Sequence, residues 1–409
     1  MAVVVTKPAL NVRSELADLR KPTGIAGEAM LAADTIIQQA ALLGVAPNNL
    51  VKNGAMAVYQ RGAGTIVSDG SNVKEAFGPD RLKLYSTEAY TVLDATIRQT
   101  ADGPEEFSTC SEVEIDTLEA VAAATDLIML MYNFEGLDLQ GLGWGTSAGK
   151  PLTLQFWVKS NTPGTYALSA YMPEGGGDIV TFAYTINQSA VWQKVVWVIP
   201  PNTAAVPAND NTASLVIRFV LAAGTTYKGG TPQPNWGANA NNLHAAEQLV
   251  DLGAVDASYF RMTGVQATIG AFPEGVPFQH EDYGTTLAKC QRYFQRYPSS
   301  DQADSGAYAG IGGYGFAVTT TALDSSIQLP VTMRLEPTMS PAASGDLRVT
   351  HENTATAITA GPVIVDIYSS VSQVTLRSTV GSEALTVGAG GQPQQNNDND
   401  AHISLDAEL

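Results

Sequence analysis

Two short motifs in this 409-residue chain have spacings that can support chemistry. Gly145-Thr-Ser-Ala-Gly149 matches G-x-S-x-G, which puts a nucleophilic serine on a strained turn between a strand and a helix. That elbow needs a helix directly after it. Here Lys150-Pro151 and a strand-like run follow, so Ser147 reads as part of a Gly-rich connection. Gly310-Ile-Gly-Gly-Tyr-Gly315 has the G-x-G-x-x-G spacing that lets a backbone approach pyrophosphate at a helix N-terminus. The residues after it, Phe316 to Thr321, are mostly aromatic or β-branched, so a Gly/Tyr loop is expected instead. His244, His280, His351 and His402 stand singly, with no pair at helical spacing for a metal or a catalytic dyad. Glu112, Glu114, Asp116 and Glu119 read as a solvated strand edge, and Glu174 and Asp178 as the ends of a Gly-rich hairpin turn rather than a Ca²⁺ loop. No catalytic residue, metal site or cofactor is nominated, and the chain is expected not to be an enzyme.

Aromatic side chains offer more. A sugar ring presents apolar C–H faces, so an exposed Trp or Tyr beside polar side chains is the minimum for a glycan platform. Trp157, Trp192 and Trp197 fall inside strand patterns and are expected in the core. Trp144 and Trp236 lie in Gly/Asn/Pro-rich loops, and Tyr308 and Tyr314 in the second Gly-rich loop. These four are the candidate glycan contacts.

The elements that must hold them differ along the chain. Residues 28–43 carry Met30, Ala33, Ile37, Ala40 and Leu43 near a 3.6 period and predict a short N-terminal helix. From residue 50 to 277 the pattern changes to period two, with strands expected at 152–158, 165–172, 179–186, 191–199 and 213–221, separated by Gly/Pro/Asn turns. Such punctuation predicts an antiparallel sandwich of jelly-roll type. A helix is expected over 282–297, with Leu287, Cys290, Phe294 and Tyr297 on one stripe. Residues 301–409 return to β character, with 388–400 expected as a solvated loop. The predicted fold is mainly β: an N-terminal segment (1–49), a jelly-roll sandwich (50–277), a linking helix (278–298) and a C-terminal β-sandwich domain (299–409).

Composition narrows the function classes. The chain has 40 Asp+Glu against 22 Lys+Arg, a net charge of −18, with no basic run to meet nucleic-acid phosphates. Hydrophobic residues make up 44%, too many for a disordered chain. The longest apolar run, near Leu127 to Tyr132, is far short of a membrane span, and the start lacks a signal-peptide pattern. Cys110 and Cys290 are too few and too far apart for a disulfide framework. No nucleic acid and no membrane insertion are expected.

Several segments resemble a known family. Asn49-Leu-Val-Lys-Asn-Gly-Ala-Met-Ala-Val-Tyr-Gln-Arg-Gly62, Phe77-Gly-Pro-Asp-Arg81, Leu152-Thr-Leu-Gln-Phe-Trp-Val-Lys-Ser160 and Trp192-Gln-Lys194 resemble the jelly-roll domain of bacteriophage tail-fibre and appendage proteins, which looks like a carbohydrate-binding module. The segment from Pro277 to Phe294, which holds Phe278, Tyr283, Leu287, Cys290, Gln291, Arg292, Tyr293 and Phe294, with Leu329 to Thr338, is similar to the C-terminal β domain of the same proteins. The opening, Lys7 to Arg13 and Gly24 to Glu28, resembles their virion-anchoring N-termini. The resemblance implies a homotrimeric virion protein, assembled in the host cytoplasm, that docks on other virion proteins through its N-terminus. It implies attachment to a host surface glycan or outer-membrane receptor. A polysaccharide depolymerase tailspike and a capsid decoration or head fibre are the alternatives. Within that family the block Cys290-Gln-Arg-Tyr-Phe294 is expected to be structural, seating a helix between two β domains.

Overall fold

The computed structural model describes residues 48–409 except Glu88, Ala122, 299–307, 341–344, Asn353, 382–383 and Asn399. The expected N-terminal helix and docking segment therefore lie outside the described residues.

Period-two segments build two antiparallel sheets. One has six strands: β1 (Gly64–Val67), β4 (Asp94–Thr100), β5 (Cys110–Thr117), β13 (Tyr259–Ile269), β7 (Leu152–Ser160) and β10 (Gln193–Ile199), in that spatial order. The other has seven: β12 (Gly237–Ala238), β9 (Asp178–Ile186), β8 (Gly164–Met172), β11 (Ala213–Ala223), β6 (Leu127–Glu135), β3 (Lys83–Ser86) and β2 (Lys74–Phe77). Alternation along β7 turns Leu154, Phe156 and Val158 inward, where all three are buried. Phe156 meets Phe219 of β11 edge-on at 5.1 Å and Tyr184 of β9 at 5.5 Å, so aromatic rings bridge the two sheets. A single turn, α1 (Gly136–Leu139), follows β6.

The linking helix is shorter than its periodicity suggests. α2 spans Tyr283–Gln291, capped by Asp282, whose side chain accepts from the Thr285 N–H. Phe294 to Tyr297 then form a strand, β14, paired with β22 (Ile403–Asp406). The stripe Leu287, Cys290, Phe294 and Tyr297 is thus divided between a helix and a strand. Aromatic Phe294 and Tyr297 suit a strand, and β22 supplies ladder bonds that a prolonged helix would forgo. β17 (Thr338–Ser340) completes this three-stranded sheet.

The remaining C-terminal strands close on themselves. β15 (Gly315–Ala317), β16 (Ala322–Gln328), β20 (Gln373–Val380), β19 (Thr354–Ile364), β18 (Leu347–His351) and β21 (Gly390–Gln395) form a six-stranded barrel. β21 overturns the expected loop at 388–400. Its Gly-Gly-Gln-Pro-Gln-Gln sequence has poor strand propensity, yet it pairs with β18 along its length and leaves no edge there for another chain to pair with. Its alternate residues are buried, as a barrel wall requires.

The two β domains meet over a buried polar seam. Arg292 donates to both carboxylate oxygens of Glu135, at 2.9 and 2.7 Å, and the Tyr293 hydroxyl donates to the same carboxylate. Burial alone would push the Glu135 carboxyl up, but these hydrogen bonds and the Lys52 charge hold it below the usual range. The Arg81 guanidinium lies 3.5 Å from the centroid of the Tyr293 ring, and that of Arg61 lies 3.7 Å from the Phe294 centroid. Both arginines pair with Glu408 near the end of the chain, and Arg61 also pairs with Asp406 at 2.6 Å. Cys290 is fully buried. The chain's last residues are thereby tied to the sandwich.

Candidate functional site

The outer face of the six-stranded sheet carries a cleft of about 500 Å³. Its floor comes from β7, β10 and β13. Because Phe156 points into the core, its neighbour Trp157 points out, where it is half-buried, directly opposite Lys194 on β10 and Thr263 on β13. One wall is the segment from Glu274 to Phe278, and Glu105, Glu106 and Phe107 contribute the other side.

The wall from Glu274 to Phe278 is pinned by hydrogen bonds to the sheet. Gln155 donates to the Val276 carbonyl at 2.8 Å and accepts from the Val276 N–H at 2.7 Å. Thr153 donates to the Gly270 carbonyl at 2.6 Å and accepts from the Phe272 N–H at 2.9 Å. Phe107 and Phe278 meet edge-on at 4.9 Å. Gly264, at a bulge in β13 with φ +62°, lies where a Cβ would come 2.7 Å from Phe107 and 2.9 Å from Trp157. Its missing side chain is what lets both rings sit at the cleft floor.

Beyond Trp157 the same face is a ladder of ion pairs. Arg98 pairs with Glu112 at 2.6 Å and with Glu114, Arg261 with Glu112 and Asp102, and Lys159 with Asp102 at 2.5 Å. Burial raises Asp102, but Lys159 and Arg261 outweigh it and hold its carboxyl below the usual range. Glu112 is therefore a buried member of a charge network, not a solvated edge. Glu119 likewise accepts from the N–H groups of Thr91, Val92 and Leu93. In the cleft itself, desolvation lowers Lys194 below the usual lysine value, and Glu106 offsets part of that.

The four nominated aromatics separate into two pairs. Trp144 is only 2% exposed, donates to the Lys150 carbonyl at 2.7 Å and packs edge-on against Trp236 at 5.4 Å. Trp236 is half-buried and donates to the Pro200 carbonyl. Trp144 is corrected from a glycan contact to a loop anchor, since a Gly-rich loop gives a Trp freedom to fold under and an indole gains from burial with a satisfied N–H, while Trp236 keeps part of its ring exposed. Tyr308 and Tyr314 are exposed on the barrel, Tyr314 at 80%, with the Arg348 guanidinium 4.0 Å from the Tyr308 ring centroid. Phe316 on β15 is exposed beside this loop.

Trp197 is in the core as expected, whereas Trp157 is half-buried and lines the cleft, a position the sequence reading missed. The signal was available: in Leu154-Gln155-Phe156-Trp157-Val158-Lys159 the indole shares alternation with Gln155 and Lys159, not with Leu154, Phe156 and Val158.

Ser147 lies on an exposed turn, and β7 rather than a helix follows it. Gly310–Gly315 likewise leads into β15. Glu174 accepts from Ser214 and Asp178 from Asn202 at 2.8 Å, so the hairpin acids have protein partners. Among the described residues no group of three His, Cys, Asp or Glu side chains is arranged to hold a metal ion, and no helix is long and apolar enough to cross a membrane.

No family model matches the chain, and no curated protein does. Among solved structures, the chain is similar to the enzymatically active domain of tailspike protein 4 of bacteriophage CBA120, at 12% identity and a TM-score of 0.29, over 54% of this chain and 21% of that one. It is also similar to the family 11 carbohydrate-binding module of a cellulosomal cellulase of Clostridium thermocellum, at 14% identity and a TM-score of 0.24, over 52% of this chain and 100% of that one. A sugar-binding protein of Bacteroides thetaiotaomicron matches at 11% identity and a TM-score of 0.29, over 54% of this chain and 100% of that one. These likenesses are remote, and the cleft geometry carries the reading that follows.

Proposed function

We propose that this chain is a non-catalytic glycan-binding protein that acts as a bacteriophage appendage, attaching the virion to a host surface polysaccharide. The observation that carries the binding reading is the half-buried Trp157 at the floor of a cleft, one wall of which is pinned to the sheet beneath. A rigid aromatic face ringed by polar side chains costs little to order on binding. The virion setting rests on the sequence resemblance from Asn49 to Phe294, and with it the homotrimer. Exposed Tyr308, Tyr314 and Phe316 on the barrel offer a second contact surface distant in sequence from the cleft. The non-catalytic reading rests on Ser147, which has no helix behind it.

The test is adsorption of the purified chain to a panel of bacterial surface polysaccharides, with Trp157→Ala in parallel. Covering about 60 Å² of indole at about 25 cal/mol per Å² is worth about 1.5 kcal/mol, so the variant should bind roughly tenfold more weakly. Binding unchanged by Trp157→Ala removes the cleft as the site, and no binding to any polysaccharide removes the function. Turnover of a polysaccharide or ester substrate that is lost in Ser147→Ala would overturn the non-catalytic reading.

A further inference from the structure

Two groups of acids on the outer face of the six-stranded sheet differ in their partners. Asp102, Glu112 and Glu114 are each matched to Arg98, Lys159 or Arg261. Glu105, Glu106 and Glu274, which line the cleft, are exposed and in no ion pair among the described residues. Lys194 is the cleft's own cation, and Glu106 is the carboxylate that acts on it. The cleft thus carries three negative charges against one positive.

Glu106 is held at φ +85°, a left-handed conformation that strains a residue with a Cβ and that persists where the surroundings enforce it. The cleft's amide is engaged by its own wall, since Gln155 is buried and bonds Val276 through one N–H and its carbonyl oxygen. What remains to face a ligand is an aromatic surface, Trp157 with Phe107 and Phe278, among carboxylate acceptors. Aromatic faces and carboxylates together form the chemistry that recognises an ammonium group.

We infer, resting on the glycan-binding reading, that this cleft selects sugars bearing free amino groups and discriminates against acidic polysaccharides. A ring seated on Trp157 places its amine against the uncompensated acids. A uronate or phosphate in the same place meets like charge and only Lys194 to answer it.

The experiment is calorimetric titration of the full chain at mildly acidic pH with three probes: a glucosamine tetramer, its fully N-acetylated counterpart and an oligogalacturonate. We expect the free amine to bind on the order of tenfold more tightly than the acetylated chain, from two or three exposed charge contacts, and the oligogalacturonate to bind most weakly. Added salt should narrow these gaps, because exposed charges are screened within about 10 Å at 0.1 M. The triple variant Glu105→Gln, Glu106→Gln, Glu274→Gln should bring the free amine and the acetylated chain to equal affinity. Equal affinity for all three probes overturns the inference and leaves the glycan-binding reading standing. A preference that survives in the triple variant overturns the assignment to these carboxylates. Absence of binding to any probe overturns the inference, and the polysaccharide panel then decides the broader reading separately.

Discussion

Replacing Glu408 with glutamine tests whether the two β domains are held as one unit by the charges between them. The Glu408 carboxylate is 6% exposed and pairs with Arg81, at 2%, and with Arg61, at 11%. In Glu408→Gln the Arg61 guanidinium keeps Asp406, but Arg81 keeps only the Asn133 carbonyl at 2.6 Å and the ring faces of Tyr293 and Tyr132. Removing one partner of a buried pair costs about 3–5 kcal/mol. The retained amide oxygen puts the cost near the lower end, about 3 kcal/mol, a large share of the roughly 5–15 kcal/mol that holds a typical domain folded. Glu408 follows β22 in the C-terminal sheet and Arg81 belongs to the sandwich, so the damage should appear first as separate melting of the C-terminal domain. Urea unfolding followed by calorimetry and by tyrosine and tryptophan fluorescence reads both. Arg81→Met with Glu408→Gln should cost less than the sum of the single changes, since each alone strands a buried charge. A single-variant loss under about 0.5 kcal/mol, or strict additivity in the double variant, would show that the seam is not held by this pair.

Three further changes probe the reading elsewhere. Gly264→Ala should destabilise by about 1–3 kcal/mol, because a Cβ meets Phe107 and Trp157 below 3 Å at a positive φ, and it should weaken polysaccharide binding by displacing Trp157; binding titration beside thermal melting separates the two effects. Trp144→Ala should cost about 3–5 kcal/mol in denaturant unfolding and leave polysaccharide affinity unchanged, the reverse of Trp157→Ala. His244 is pushed down to about 4 by burial and by the charge of Arg218. The unfolded chain therefore binds a proton between about pH 6.5 and 4 that the folded chain does not, so this residue makes stability fall as pH drops through that window and level off below it. Comparing Tm across that range in the wild type and in His244→Gln should show a shallower fall in the variant; parallel curves would refute it.

Much of the architecture follows from local pattern. Alternation from Leu152 to Ser160 and Gly164 to Met172 can bury one set of side chains only as strands, because their period is two. The few charges and frequent Gly, Pro and Asn leave little room for a helical alternative. The expected helix start near Asp282 also holds, and the structure shows its carboxylate capping the first turn by accepting from the Thr285 N–H. Tertiary contacts decided the rest. Phe294 and Tyr297 fit a helical stripe as well as a strand, and β22, more than a hundred residues away, settles the choice by offering hydrogen bonds. Gly390–Gln395 has no strand propensity of its own and becomes a strand because β18 and β15 pair with it. Whether a tryptophan faces water is likewise decided by what lies above it. Trp144, in a glycine-rich loop, is covered by Trp236, while Trp157, in a strand, is left at the floor of a cleft. Glu106, Trp157, Lys194 and Glu274 meet there because β5, β13, β7 and β10 are successive neighbours in a sheet. Residue types and alternation limit which side chains can face outward, but bringing them together depends on strand order, a long-range property that no local spacing encodes.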